Sequence, residues 1–126
     1  MTPWKLSGFG DEIDPDPLVQ IAVLQALGAQ HIEVRSAWGV NIVDLDESQL
    51  TQLAAVVRER GMAVSAVASP IGKVDVSLPV EHEVGRLQRA IRAADVLETP
   101  YIRIFSFFRE EHLSANDIRD DVLVRM

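Results

Sequence analysis

Glu33 and Arg103 are the residues whose setting most strongly suggests chemistry. Each lies inside a short apolar run, His31-Ile32-Glu33-Val34-Arg35 and Tyr101-Ile102-Arg103-Ile104-Phe105. A buried charge is costly unless something compensates it. Glu33 is therefore expected to meet a cation, either Arg35 on its own run or Arg103 across an interior. Such a pair either fills space and orients the strands or forms the floor of a binding site, and the sequence leaves both open. Four further residues qualify. Arg35 shares the face of Glu33. Glu12 can accept hydroxyl hydrogens, or it simply belongs to an acidic loop, Asp11-Glu12-Ile13-Asp14, ahead of a helix start where negative charge is favourable. Trp38 can stack on a ring or plug a loop. Lys73, in Pro70-Ile71-Gly72-Lys73, can hold a phosphate or carboxylate as a point charge, or it is a solvated loop lysine. Arg109 and His112 flank Glu110 and Glu111, and that stretch reads as a solvated loop.

Several chemistries are excluded. The chain has no cysteine, which removes disulfides, thiolate nucleophiles and zinc–cysteine sites. The histidines show no metal-ligand spacing: His31 opens a strand, and His82 lies between Glu81 and Glu83 in a helix's first turn. No nucleophile elbow is present. Nineteen acidic against 12 basic residues give a net charge of −7, which argues against nucleic-acid backbone as a partner. The 48% hydrophobic and 25% charged composition is that of an ordinary globular domain, so disorder and coiled coil are not expected. No apolar run is long enough for a membrane helix. Met1 to Gly10 holds one lysine and no apolar h-region, so no secretory signal is expected, and a cytoplasmic location fits.

The elements that must position these residues alternate. Strands are predicted at Leu6–Phe9, His31–Arg35, Ala63–Ala68 and Tyr101–Phe105. A first helix starts at Asp16-Pro17, places Leu18, Ile21, Ala22 and Gln25 at helical spacing, and stops at Gly28. A second has a capping-box variant in Asp46 and Gln49, a stripe of Leu50, Leu53, Ala54 and Val57, and a stop at Gly61. A third runs from about Pro79 to Leu97 with Val84, Leu87, Ile91 and Ala94 on one face, and Thr99-Pro100 closes it. Asn116 or Ser114 caps a fourth, with Ile118, Val122 and Met126 on its face.

Strands alternating with helices imply a parallel α/β sheet with right-handed crossovers. A central strand of an open, doubly wound sheet should be apolar on both faces. Here Ile32 and Val34 take one face and Glu33 and Arg35 the other, while Ile102 and Ile104 oppose Tyr101, Arg103 and Phe105. An apolar face under helices and a charged face toward a lumen favours a (β/α) barrel. Gly8-Phe9-Gly10 leads into Asp11-Glu12, which would repel a pyrophosphate, and G-x-G-x-x-G is missing. A full barrel takes about 250 residues. The 126 residues supply about four βα units in a single domain, 1–126. The expectation is an N-terminal half-barrel, an incomplete fragment or a natural half that pairs with a second copy.

Phe9-Gly10-Asp11-Glu12-Ile13, then Ile32-Glu33-Val34-Arg35-Ser36-Ala37-Trp38-Gly39, resembles the xylose isomerase-like TIM-barrel superfamily. So do Ala68-Ser69-Pro70-Ile71-Gly72-Lys73 and Pro100-Tyr101-Ile102-Arg103-Ile104-Phe105-Ser106. The nearest group is the sugar phosphate isomerases/epimerases, and the match covers the first half of that barrel. The resemblance implies a small sugar-like substrate and a metal-assisted proton or hydride shift in the whole protein. The divalent metal (Mn, Mg or Zn) would be held mostly by later strands, so no ligand carries over to a residue of this half. The superfamily also includes abasic-site endonucleases, which stand as an alternative, as does a non-catalytic half-barrel assembling with a partner. Barrel active sites lie at the C-terminal strand ends. That rule selects Glu12, Glu33, Arg35, Trp38, Lys73 and Arg103 as substrate-binding candidates. Catalytic residues stay unassigned.

Overall fold

Asp16 starts the first helix as its residue type requires. Its carboxylate accepts the Leu18 N–H at 2.9 Å, and Pro17 takes the first helical position. Helix α1 spans Pro17–Ala26. Asp46 and Gln49 exchange side-chain-to-backbone hydrogen bonds of 2.7 and 3.0 Å, a complete capping box, at the head of α2, Glu47–Glu59. Its buried stripe is Leu50, Leu53 and Val57. Helix α3 spans Val80–Val96 and α4 Arg119–Arg125. The computed structural model describes residues 4–126; the first three residues of the expected 1–126 domain, and of the segment read for a secretory signal, lie outside the described residues.

The described residues form six strands: β1 Ser7–Phe9, β2 His31–Val34, β3 Ser36–Ala37, β4 Val40–Asn41, β5 Ala63–Ala68 and β6 Ile102–Arg103. Strands β1, β2, β5 and β6 form one parallel sheet in that order. Each new strand is thus added on the same side of the last. Ile32, Val34, Val64 and Val67 bury their side chains with Ile21 and Leu24 of α1, Leu50, Leu53 and Val57 of α2, and Ala90, Ala93 and Ala94 of α3. The core therefore lies between one face of the sheet and three helices. The other face carries Glu33, Ser65, Ala66 and Arg103, all half-buried.

Four expectations need correction. The fourth strand is short, Ile102–Arg103 rather than Tyr101–Phe105. It is an edge with one neighbour, and the chain beyond it pairs instead with the loop after β5: Phe105 N–H donates to Ile71 O at 2.7 Å, and Phe107 N–H to Gly72 O at 2.9 Å. Helix α1 buries Pro17, Gln20, Ile21 and Leu24, leaving Leu18, Ala22 and Gln25 exposed. Helix α3 buries Glu83, Ala90, Ala93 and Ala94, whereas Val84 and Ile91 are each 47% exposed. Small alanines let α3 approach the sheet closely, so the larger aliphatics face outward. Ser114 and Asp117 exchange hydrogen bonds one turn ahead of α4, and only Ile118 of the expected stripe is buried, with Met126 at 62% exposure.

The antiparallel hairpin β3–β4 was not anticipated. Its register pairs Ser36 with Asn41 and Ala37 with Val40, leaving Trp38 and Gly39 as a two-residue turn with φ of +53° and +73°. Positive φ at both central residues is the mark of a type I′ hairpin turn. Among the described residues, no helix is long and apolar enough to cross a membrane.

Candidate functional site: a cationic cleft at the strand ends

Phe9 turns its ring to the uncovered face of the sheet, where the Arg35 guanidinium lies 5.1 Å from the ring centre. Asp11 lies in the turn that follows β1, closed by Ile13 N–H donating to Gly10 O at 2.9 Å, and meets the same arginine. Arg35 Nε donates to Asp11 Oδ2 at 2.7 Å, and Ser36 Oγ donates to that oxygen at 2.8 Å. Burial opposes ionisation of Asp11, whose side chain is only 12% exposed. The hydrogen bonds from Arg35 and Ser36 and the Arg35 charge outweigh that, and hold the carboxyl below its ordinary range. Arg35 is raised in turn, chiefly by the same hydrogen bond.

Glu12 is the outer member of this cluster. Its carboxylate is 3.4 Å from Arg35 Nη2 and two-thirds exposed. The adjacent acids differ in distance and burial: Asp11 meets Arg35 at 2.7 Å and is 12% exposed, while Glu12 stays at the rim.

The expected partnership of Glu33 does not form. Among the described residues Glu33 makes no ion pair with Arg35 or Arg103. Arg35 is taken by Asp11. Arg103 is out of reach for a geometric reason: Glu33 pairs in register with Ala66 of β5, whereas Arg103 pairs with Ala68. Two strand spacings, about 10 Å in all, and a two-residue offset separate them. Glu33 stays half-buried on the face of the sheet, which is open here and does not enclose it.

Arg35, Lys73 and Arg103 do come together. With Asn41, Ala68, Pro70 and Phe105 they line a cleft of about 90 Å³ at the C-terminal ends of β2, β5 and β6. Arg103 places its guanidinium carbon 4.3 Å from the centre of the Phe105 ring, and Lys73 Nζ is 5.7 Å from the same centre. The cleft's floor is fastened across two loops. Buried Ser69 donates its hydroxyl to Arg103 O at 2.6 Å, and the 69–76 segment runs beside 103–108 through the Phe105–Ile71, Phe107–Gly72, Phe108–Val74 and Val76–Phe108 backbone hydrogen bonds. The Asn41 side-chain carbonyl oxygen accepts Val43 N–H at 3.2 Å, and among the described residues its amide nitrogen has no acceptor.

Trp38 is not part of the cleft. Its N–H donates to Pro15 O, and its side chain packs, half-buried, against the hydrophobic core. Arg109 and His112 are exposed, as a solvated loop requires.

Two buried polar residues escaped the sequence reading. Gln20 donates to Asp14 O at 2.8 Å and so holds the loop after β1. Glu83 accepts the Gly72 N–H at 2.6 Å and so holds the loop that carries Lys73. Neither had a signal beyond a polar residue at a helical core position.

The Asp11–Arg35 pair gives a direct test. Asp11→Asn is expected to lower stability by about 1 kcal/mol at neutral pH. The depressed carboxyl makes the wild-type advantage complete above the ordinary aspartate range near pH ~4, and acidification through the lower folded value removes it. Urea midpoints of both proteins across that window check the prediction. A gap that stays constant with pH would contradict it.

The sequence matches no protein-family model and no curated protein.

Proposed function

We propose that this chain walls one side of the substrate pocket of a sugar or sugar phosphate isomerase or epimerase built as a (β/α) barrel. The observation that carries the reading is the convergence of Arg35, Lys73 and Arg103 on one cleft at the C-terminal ends of sequentially ordered parallel strands. Barrels wind strand after strand in one direction with helices outside and use that end for substrates. A doubly wound sheet reverses direction and carries helices on both faces. The four motifs that resemble the xylose isomerase-like superfamily run through the same strand ends: Asp11 after β1, Ser36 after β2, Ser69 to Lys73 after β5, and Phe105 after β6.

The contribution of these residues is binding and orientation. The divalent metal implied by the resemblance does not fit this cleft. Among the described residues no three histidine, aspartate or glutamate side chains converge as a metal group, and the cleft is lined by cations. In this reading the chemistry belongs to groups outside the chain, and Arg35, Lys73 and Arg103 grip the substrate's polar end.

Amide NMR of the chain, titrated with neutral pentoses and hexoses, their phosphate esters and their aldonic acids, tests the proposal. At least one sugar is expected to move the resonances of residues 68–73 and 103–105. If none does, the reading fails. The purified chain supplied with Mn²⁺ is expected not to interconvert aldoses and ketoses, and turnover would refute the assignment of the chemistry to groups outside it.

A further inference from the structure

We infer that the cleft at the C-terminal ends of β2, β5 and β6 is an oxyanion site, with Arg103 and Lys73 as its charge-bearing donors and Asn41 as a neutral one. The inference rests on the proposed substrate pocket and narrows it: the substrate carries an acidic group, a carboxylate or a phosphate, and that group sits at the ends of the second, third and fourth strands of the main sheet.

The protein as a whole is at −7, so its general field disfavours anions. Three cations nevertheless gather at one cleft. Arg35 is already answered by Asp11 and, more weakly, Glu12. Lys73 and Arg103 are not: among the described residues neither lies within ion-pair distance of a carboxylate. Glu33, the nearest acid by sequence pattern, is held away by its register, and Asp11 and Glu12 are committed to Arg35. Two unanswered like charges lie around one aromatic ring, Phe105, at 4.3 and 5.7 Å from its centre. The ring supports both cations through its π face, but it cannot neutralise them.

The hydrogen-bond inventory points the same way. Arg103 Nε is sealed from solvent with no acceptor among the described residues, a costly state for a charged donor. Among the described residues the guanidinium has no hydrogen bond to the protein through its terminal nitrogens either, so its planar fork is available for a bidentate acceptor. Asn41 offers an amide nitrogen because its oxygen is spent on Val43 N–H. A lysine point charge, an arginine fork and an amide donor suit a compact oxyanion.

The cleft is also held in shape before any ligand arrives. Ser69 is bonded to the Arg103 carbonyl, Gly72 is bonded to Glu83, and Phe105 is bonded to Ile71. Little ordering is therefore left for binding to impose.

The test uses simple anions, so that it does not depend on a sugar. The chain is titrated with inorganic phosphate and separately with glycolate, following amide resonances and the Arg103 Nε–H, at low and at raised salt. Saturable, salt-weakened shifts at residues 68–73 and 103–105 are expected. Lys73→Gln and Arg103→Gln should each weaken binding about tenfold, while Arg58→Gln, on the far side of the fold, should not. Lys73 is exposed, so its variant stays informative if Arg103→Gln disturbs folding. Tighter phosphate assigns a phosphate ester, and tighter glycolate a carboxylic acid. Shifts that persist unchanged in both variants, or no response to either anion, overturn the inference. If a neutral sugar binds and the anions do not, the anion site falls and the sugar pocket survives. If the anions bind and no sugar does, the site stands and the sugar reading falls.

Discussion

Replacing Gly72 with alanine is expected to cost roughly 4 kcal/mol and to abolish anion binding in the cleft. Gly72 has φ of +75°, a conformation that L side chains adopt at a penalty. The larger effect is steric. An added Cβ would lie 1.9 Å from Phe105 O and 2.7 Å from its carbonyl carbon. Those are backbone atoms, and no rotamer change can move them. Relief requires the two segments to separate, which breaks the Phe105–Ile71 and Phe107–Gly72 hydrogen bonds and shifts Lys73 away from Arg103. Gly61→Ala is the matched comparison. Gly61 has φ of +69° with nothing within 4 Å of the added carbon, so only the conformational cost applies, about 1 kcal/mol. Urea unfolding of both variants separates strain from collision. Equal losses at the two sites would show that the close approach of the loop to residue 105 contributes nothing.

That close approach is not legible in the sequence, although Lys73 next to it stands out. The reason is the range of the signal. Local chemistry was readable where it closes on itself: Asp16-Pro17 starts α1, Asp46 and Gln49 cap α2, and the Ile32/Val34 alternation separates a covered face from an uncovered one. Arg35, Lys73 and Arg103 were placed at one end by counting along strands, and the structure brings them to one cleft. Which acid each arginine would meet needed register. Glu33 faced the right way but pairs at the level of Ala66, two residues below Arg103. The register shift between Ile32 and Glu33 has no sequence signature. The hairpin was hidden for a different reason: two residues per strand are too few to show alternation, and Trp38 is an unusual occupant of a positive-φ turn position.

The misphased faces of α1 and α3 have one feature in common, besides the alanines of α3, and it leads to the second large effect. Each helix gives a core position to a long polar side chain that reaches the loop of a neighbouring strand: Gln20 to the Asp14 carbonyl, Glu83 to the Gly72 amide. An apolar periodicity cannot register such a residue, because its burial is stabilised by a hydrogen bond made to the preceding loop, outside its own helix. Glu83 is the stronger case. Its side chain is 5% exposed, and besides Gly72 it contacts His82 Nδ1 at 3.0 Å and Arg86 at 3.4 Å. Burial alone would raise its pKa; the Gly72 N–H, then His82 and Arg86, pull it below the ordinary glutamate value. Glu83→Ala should therefore lose about 3 kcal/mol, since it strands a buried N–H and leaves Arg86 uncompensated. Glu83→Gln keeps an oxygen for Gly72 and should lose only about 1 kcal/mol. Because the folded carboxyl is the more acidic one, the wild-type lead over Glu83→Gln is full above the unfolded glutamate value and fades as pH drops through the folded one. The alanine variant should also weaken phosphate binding at Lys73, in the loop that precedes the mutated helix, while the glutamine variant retains it at neutral pH. Stability loss in Glu83→Ala with phosphate binding intact would mean that Gly72 holds its place without the carboxylate, and that the loop's own ladder to residues 103–108 positions Lys73.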